Sequence, residues 1–398
     1  MRVLSVTVAS TALLLAHVVD ASTRFENHHR FHSRHTLRKR ASTATSTISV
    51  DPVKKQAIAL ASHSWELGTL TEALIEYDSP SLSVFGTGTV SACKASIDSE
   101  VYTIAANIMN SRPANSATLV DGDGAAGDPA SLGPALLLVN QVLNNSSYAN
   151  ALELQLNHLL NDVPRDSTTG GISQREDMVQ FWADYVSMAP PFIAAYGLTL
   201  GDTTDGYDLL VEAYNQCKAY RTVLLDTTVS LWRHIMLGTW TLPQHWATGN
   251  GWAAYGMMRV LATLDKSPQS NQLSSQKADL ALWIGEILTG AYNYQHSNGT
   301  LYNYIDVSSP DTFPDSAGTA LVAAATYRLA KYSGDSSFIT KAELAYSCIS
   351  KSIVSTTGIL KNVVDPETFS TSLAQGTGSP EAESFVLLLE AARNAYYS

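Results

Sequence analysis

The sequence predicts an all-α protein in which helical hairpins close into one ring, an (α/α) toroid. Apolar residues recur at the three-to-four spacing of a helix in about eleven segments, and no segment shows a convincing strand pattern. Several segments, such as 317–330 and 385–392, are apolar almost all round, which is typical of helices buried on two sides. A double ring buries both sides because outer helices cover inner ones, whereas a plain bundle leaves one side in water.

The predicted helices are separated by segments rich in glycine and small polar residues, such as 121–124, 168–171 and 197–206. In chain order, the predicted helices cover residues 53–77, 96–109, 130–143, 148–160, 181–196, 207–225, 251–264, 273–294, 317–332, 337–352 and 379–397. A superhelical array is the alternative arrangement of such hairpins, but no repeat consensus is visible. We therefore predict a single domain over residues 41–398.

Composition and charge exclude two classes of protein. The 398 residues include 25 Lys and Arg against 36 Asp and Glu, which gives a net charge of −11, and 45% of the residues are hydrophobic. A disordered chain has low hydrophobicity and much charge, and a nucleic-acid-binding protein needs a basic surface. The chain is therefore expected to fold and not to bind nucleic acid.

The first forty residues are predicted to be a leader. Residues 1–21 have a positive start, an apolar run over 9–19 and a small-residue cleavage site, which is typical of a secretory signal peptide. The apolar run is much shorter than the ~20 residues of a membrane span. Residues 22–40 end in Arg38-Lys39-Arg40, a tribasic site for a kexin-type protease, and the alternative is a basic tail that stays attached. We expect a secreted protein without a membrane anchor.

Glycosylation sequons and cysteines are also informative about the compartment and the cofactors. Sequons begin at Asn144, Asn145 and Asn298. The cysteines are Cys93, Cys217 and Cys348, which allow at most one disulfide. There is no CxxC motif and no cluster of histidine with cysteine, so we predict neither a metal nor a cofactor. The expected state is a monomer.

An acidic residue in an apolar, aromatic stretch is the first candidate for chemistry. Asp184 lies two residues after Trp182 in the segment 181–191. A carboxylate in apolar surroundings is desolvated, which raises its pKa and lets it donate a proton near neutral pH. The alternative is an aspartate that caps the following helix. Asp128, which precedes Pro129 at another helix start, has the same capping interpretation when taken alone.

Aromatic residues around a glycine-rich turn are the second candidate. Trp246 and Trp252 flank Gly249-Asn250-Gly251, which we expect to form a tight turn before a helix whose first N–H groups are free. Aromatic faces beside free donors suit a sugar ring, because a sugar has apolar faces and polar edges. The alternative is that the tryptophans belong to the core. Clustering with His234 favours a binding site.

The ordered motifs of the chain resemble glycoside hydrolase family 105, the unsaturated rhamnogalacturonyl hydrolases, which are relatives of the unsaturated glucuronyl hydrolases of family 88. The motifs are Trp182-x-Asp184-x-x-x-Met188-x-x-Pro191, Leu231-Trp232-x-His234 and Trp246-x-x-Gly249-Asn250-Gly251-Trp252. Segments 314–320 and 379–383 are also similar to the family's late helices, so the resemblance spans about 55–397. It implies an (α/α)6 barrel, which agrees with the toroid predicted from periodicity.

The resemblance implies an oligosaccharide substrate derived from pectin. An unsaturated uronic acid is removed from its end by hydration of the vinyl ether double bond. Asp184 matches the acid/base of the family, and Asp128 matches the second aspartate, which tunes the first. The substrate-binding residues that it implies are Trp182, His234, Trp246, Asn250 and Trp252.

Two positions depart from the family pattern. Thr248 stands where the family often has an arginine, and Gln174 stands where it often has a histidine. Arg175 or Arg233 is the candidate replacement for the missing cation. Two alternatives stay open: an ordinary inverting glycosidase with carboxylates ~6.5–9.5 Å apart, and a non-catalytic carbohydrate-binding relative.

Overall fold

Helices alternate between an inner and an outer ring along the chain. The computed structural model describes residues 46–88 and 97–398. The predicted signal peptide, the basic leader and Cys93 lie outside the described residues. Among the described residues, the inner helices are α2 (Ser64–Asp78), α4 (Gly127–Ala130) with α5 (Gly133–Leu143), α7 (Tyr185–Thr199), α9 (Ala247–Lys266), α11 (Ser316–Ser333) and α13 (Pro380–Tyr397).

Five inner helices pack on the outer helix that follows them in the chain, whereas the first outer helix packs on the last inner helix. The outer helices are α1 (Val50–Leu60), α3 (Ser99–Ser111), α6 (Ser146–Asn157), α8 (Thr204–Leu224), α10 (Ser274–Asn293) and α12 (Ile339–Ser352). Each inner helix packs on the next one, and α13 packs back on α2, which closes the ring. The predicted double ring of helical hairpins is therefore confirmed.

Burial follows the division into rings. In α9, every residue from 247 to 264 is buried, and in α13 every residue from 380 to 393 is buried. Inside the ring, Glu76 is paired with two arginines, as burial of a charge requires. The carboxylate of Glu76 accepts hydrogen bonds from Arg259 Nη2 at 3.0 Å and from Arg328 Nη2 at 2.7 Å. Within the described ranges, no helix combines the length and the apolar character that a membrane crossing requires.

Three antiparallel ribbons of two strands each were not predicted. They are β1 (Gln180–Trp182) with β4 (Ile235–Leu237), β2 (Leu225–Asp226) with β3 (Leu231–Trp232), and β5 (Leu301–Tyr302) with β6 (Pro314–Asp315). Strands of two or three residues are too short to show an alternating pattern, so periodicity could not reveal them. The ribbons occupy connections that lead into α7, α9 and α11.

Some helix boundaries differ from the prediction, and local contacts explain them. The predicted helix 53–77 is two helices, because the Glu66 side chain accepts hydrogen bonds from the N–H groups of Ser62 and His63 and starts α2 there. The predicted helix 181–196 begins only at Tyr185, since the preceding residues pair as β1.

The predicted turn at Gly249-Asn250-Gly251 was wrong, because these residues lie in the first turns of α9. The N–H of Asn250 donates to the carbonyl of Trp246 at 3.0 Å, which is a helical bond. The glycines instead allow neighbouring segments to pack closely against α9. A Cβ atom on Gly251 would lie 3.0 Å from Cβ of Leu321 on α11.

Candidate active site

The N-terminal ends of the inner helices converge on a cavity of about 350 Å³. Asp128 lies in α4, Asp184 precedes α7, and Trp246 precedes α9. The lining residues are Trp65, Gly122, Asp123, Ala125, Asp128, Gln174, Arg175, Trp182, Asp184, Met188, Trp240, Trp246, Trp252, Pro366, Glu367, Phe369 and Glu381. Closure of the ring brings together residues that are far apart in the chain.

Asp184 is placed by β1 and by the start of α7. The N–H of Ala183 donates to the carbonyl of His234 at 2.9 Å, which fixes the backbone beside Asp184. Asp184 occupies the N-cap position of α7, but its side chain makes no capping hydrogen bond. The capping interpretation is therefore wrong for its carboxylate, which lines the cavity with 14% of the side chain exposed.

His234 stands behind Asp184. Its Nε2 atom lies 3.1 Å from Oδ2 of Asp184, and the side chain is 2% exposed. The ring packs against Trp246 and Phe369, with centroids 4.4 and 4.7 Å away. His234 is not among the lining residues. The structure therefore gives it contact with Asp184, whereas the sequence suggested contact with the substrate.

Asp128 is the second carboxyl group of the cavity. Burial, together with the nearby charge of Asp184, raises the pKa of Asp128 to about 6. The side-chain amide of Gln174 opposes the rise, because Nε2 donates to Oδ1 of Asp128 at 2.8 Å. A carboxyl group with this pKa exchanges protons in a mildly acidic medium.

Gln174 and Arg175 line one side of the cavity. Oε1 of Gln174 is buried and has no hydrogen-bond partner in the part of the chain that the structure describes. Arg175 is 29% exposed at the rim, where its Nη1 donates to the carbonyl of Asp123 at 3.1 Å. Of the described residues that line the cavity, Arg175 alone is a lysine or an arginine. Arg233 pairs with Asp226 at 2.5 Å and does not line the cavity.

Three predicted tryptophans form walls of the cavity. Trp182, Trp246 and Trp252 line it, and Trp246 and Trp252 are almost fully buried. Nε1 of Trp246 donates to Oδ1 of Asn303 at 2.8 Å, and Nε1 of Trp182 donates to Oε1 of Gln180 at 2.7 Å. These bonds satisfy the indole N–H groups and hold the rings in place.

Besides His234, two predicted binding residues, Thr248 and Asn250, lie outside the cavity lining. Oγ1 of Thr248 donates to Oδ2 of Asp315 at 2.8 Å. Oδ1 of Asn250 accepts from the N–H of Trp232, and Nδ2 donates to the carbonyl groups of Trp232 and Trp246. All of the side-chain hydrogen-bonding groups of Asn250 are engaged in fixing the loop that carries His234 and the start of α9.

The lining residues that sequence reasoning missed include Trp65, Trp240, Phe369 and Glu381. Trp65 lies on an apolar helix, so its sequence context predicts a residue of the hydrophobic core. Glu381 lies in segment 379–383, which is similar to a late helix of the family. Its position before an apolar run is typical of a helix start and does not by itself indicate a site. Among the described residues, no group of three or more His, Cys, Asp and Glu side chains is arranged to hold a metal ion.

A closed ring of helical hairpins with an acidic, tryptophan-walled cavity at one end defines a six-hairpin glycoside hydrolase. Residues 63–371 match the family model described as Glycosyl Hydrolase Family 88. The match covers more than half of the 398 residues, and the chain therefore belongs to this family. No curated protein sequence matches the chain significantly.

Solved structures share the fold at low sequence identity. A possible member of family 105 from Salmonella enterica has a TM-score of 0.69 at 16% identity, covering 88% of this chain and 93% of its own. A family 105 glycoside hydrolase from C. acetobutylicum has a TM-score of 0.64 at 13% identity, covering 88% and 99%. The unsaturated glucuronyl hydrolase from Bacillus sp. GL1 has a TM-score of 0.58 at 14% identity, covering 86% and 94%.

Proposed function

We propose that this glycoside hydrolase removes a Δ4,5-unsaturated uronic acid from oligosaccharides of pectin, with rhamnogalacturonan fragments as its substrates. The observation that carries the proposal is the presence of Asp184 and Asp128 in one tryptophan-walled cavity, with His234 held against Asp184. The similarity to the Bacillus unsaturated glucuronyl hydrolase supports the same substrate class.

The reaction that we propose is hydration of the vinyl ether double bond. The carboxyl group of Asp184 gives a proton to carbon 4, and the charge that develops on carbon 5 and the ring oxygen is quenched by water. Asp184, now a carboxylate, takes the proton of that water and is restored. The hemiketal at carbon 5 opens to a ketone, the freed hydroxyl group at carbon 1 lets the glycosidic bond break, and one water molecule is consumed.

Asp128 and His234 assist Asp184 in this scheme. Two neighbouring carboxyl groups retain one proton more tightly than either alone, so the pair keeps an acid available in a mildly acidic medium. His234 holds the orientation of the Asp184 carboxylate, because aromatic packing fixes its own ring. The walls formed by Trp182 and Trp246 offer apolar faces for the sugar.

We also propose that the enzyme is secreted, with a leader and glycans of the fungal type. The tribasic end of residues 22–40 and the exposure of Asn144, Asn145 and Asn298 support this. Expression in a fungal host, followed by N-terminal sequencing of the protein in the medium, should give a start near residue 41. Retention of the whole chain inside the cells would contradict secretion.

The test of the activity is a spectroscopic assay. Unsaturated galacturonyl-rhamnose loses its ultraviolet absorbance when the double bond is hydrated, and we expect the purified enzyme to cause this loss. The saturated disaccharide should not be cleaved. Cleavage of the saturated compound would instead indicate an ordinary inverting glycosidase, and binding without turnover would indicate a carbohydrate-binding relative.

A further inference from the structure

A third buried carboxyl group lines the cavity and has no role in the scheme above. Glu381 is the second residue of α13, and it is 3% exposed. It lines the same cavity as Asp184 and Asp128. Burial of a carboxylate without a cationic partner is costly, so its presence beside the cavity calls for groups that stabilise it.

The groups that face Glu381 are mainly carboxyl groups. They are Asp184 from the start of α7, Glu66 from α2 and Asp315 from the start of α11, and the Trp65 side chain forms a hydrogen bond with Glu381. Glu66 and Asp315 are themselves engaged by backbone N–H groups at the starts of their helices. At Asp315, burial raises the pKa of the carboxyl group, and these hydrogen bonds oppose the rise.

The protonation state of Glu381 follows from these surroundings. Burial raises the pKa of Glu381 well above its ordinary value, and the charges of Asp184, Glu66 and Asp315 raise it further, while the Trp65 hydrogen bond opposes the rise. The protonated form of Glu381 is therefore favoured more strongly than that of an ordinary glutamate. A protonated carboxyl group has an O–H that can donate a hydrogen bond.

The cavity has few other donors for an anionic sugar. Four further carboxyl groups line it, namely those of Asp123, Asp128, Asp184 and Glu367. Arg175 lies at the rim, where it is occupied by Asp123 and by Asp177. A substrate carboxylate deep in such a cavity meets repulsion unless a neutral donor faces it.

We propose that Glu381 contacts the substrate and donates a hydrogen bond to the carboxylate of the unsaturated uronic acid. This inference rests on the proposed function, because it takes the uronic acid as the ligand. It assigns substrate binding to Glu381 and leaves the proton transfer to Asp184. Ionisation of Glu381 then turns an attraction into a repulsion between two carboxylates, which weakens binding as the pH rises.

The experiment compares Glu381→Gln, Glu381→Ala and the wild-type enzyme from about pH 5 to about pH 8. Glutamine keeps a neutral donor at every pH, and alanine removes the donor. Glu383→Gln is the matched control, because Glu383 is also a buried glutamate of α13 but does not line the cavity. Values of kcat and KM are measured separately, and thermal unfolding confirms that each variant is folded.

We expect the KM of the wild type and of Glu383→Gln to rise about tenfold more over this range than the KM of Glu381→Gln. Glu381→Ala should have a KM raised about tenfold already at the acidic end. The methyl ester of the substrate, which carries no charge, should remove the difference between the wild type and Glu381→Gln.

Two results would overturn the assignment: the same dependence of KM on pH in Glu381→Gln and in the wild type, or an unchanged KM in a folded Glu381→Ala variant. Absence of turnover by the wild type would contradict the proposed function alone. In that case the dissociation constant for the same uronide, measured by calorimetry over the same pH range, takes the place of KM and decides the role of Glu381.

Discussion

Nε2 of His234 lies 3.1 Å from Oδ2 of Asp184, and the histidine ring is buried behind the aspartate. Trp246 and Phe369 pack against the ring, so aromatic contacts restrict the orientation of the imidazole. The backbone adds a second link, because Ala183 donates to the carbonyl of His234. The pair is thus a prearranged unit built from the end of β1 and the loop before β4.

Replacement of this aspartate tests its role directly. We expect Asp184→Asn to lower kcat on unsaturated galacturonyl-rhamnose by about a thousandfold, because the amide cannot give and regain a proton. The melting temperature should change little, since Asp184 makes no capping bond to α7. Glu383→Gln, which alters a buried acid outside the cavity, is the control. A fully active Asp184→Asn variant would contradict the assignment.

The hydrogen bond from Gln174 to Asp128 predicts a shift in the pH profile. Loss of the donor in Gln174→Ala removes an interaction that stabilises the ionised form, so the pKa of Asp128 should rise above its value of about 6. One lost hydrogen bond corresponds to roughly one unit of pKa or less. The measurement is the dependence of kcat/KM on pH, whose midpoint near 6 should move upward.

The control for this shift is Gln272→Ala, because Gln272 is an exposed glutamine that does not line the cavity. Its profile should coincide with that of the wild type. A midpoint that stays in place in Gln174→Ala would mean that the titration does not belong to Asp128.

An exposed tryptophan at the mouth of the cavity predicts a preference for longer substrates. Trp240 is 44% exposed, and its ring lies 5.7 Å from that of Trp182 in an edge-to-face arrangement. We expect Trp240→Ala to raise KM for tetrasaccharides about tenfold and to leave KM for disaccharides nearly unchanged, because stacking on an exposed ring contributes roughly 1 kcal/mol. The hydrogen bond from Nε2 of Gln180 to the carbonyl of residue 240 survives the change.

Leu282→Ala is the control, since it removes another exposed apolar side chain away from the cavity. Equal effects of Trp240→Ala on short and long substrates would show that Trp240 shapes the cavity and does not hold a second sugar.

The buried carboxyl group of Glu383 predicts a dependence of the folding stability on pH. Its Oε1 atom accepts from the N–H of Leu360 at 2.9 Å, and burial raises its pKa from 4.5 to about 7. The folded state therefore binds this proton more tightly than the unfolded chain does. The resulting stabilisation is complete below about pH 4.5 and is lost as the pH rises through about 7, by roughly 3 kcal/mol in all.

Glutamine at position 383 stays neutral at every pH, so Glu383→Gln should lose this part of the pH dependence. The measurement is the free energy of unfolding in denaturant at about pH 5 and about pH 8. The difference between variant and wild type should favour the variant more at the higher pH. An equal difference at both values would show that Glu383 does not titrate between them.

Much of the architecture and part of the site were predictable from local patterns. Helical spacing predicted the double ring, because helices that are apolar all round need cover on two sides. Asp184 could be identified because a carboxylate is unusual in an apolar, aromatic segment. Trp246 and Trp252 could be identified because they flank one glycine-rich segment. These features depend on neighbours within a few residues, which a single sequence contains.

Local patterns were enough to predict the ring of hairpins, Asp184, His234 and Trp246, and the family resemblance added Asp128. Which polar groups face the cavity depends on contacts between distant segments. Thr248 lies two residues from Trp246, yet its hydroxyl is bonded to Asp315, whereas Glu381 enters the cavity from the far end of the chain. The reason is physical: the cavity forms where inner helices converge on closure of α13 against α2, and side-chain direction there depends on packing between segments far apart in the sequence.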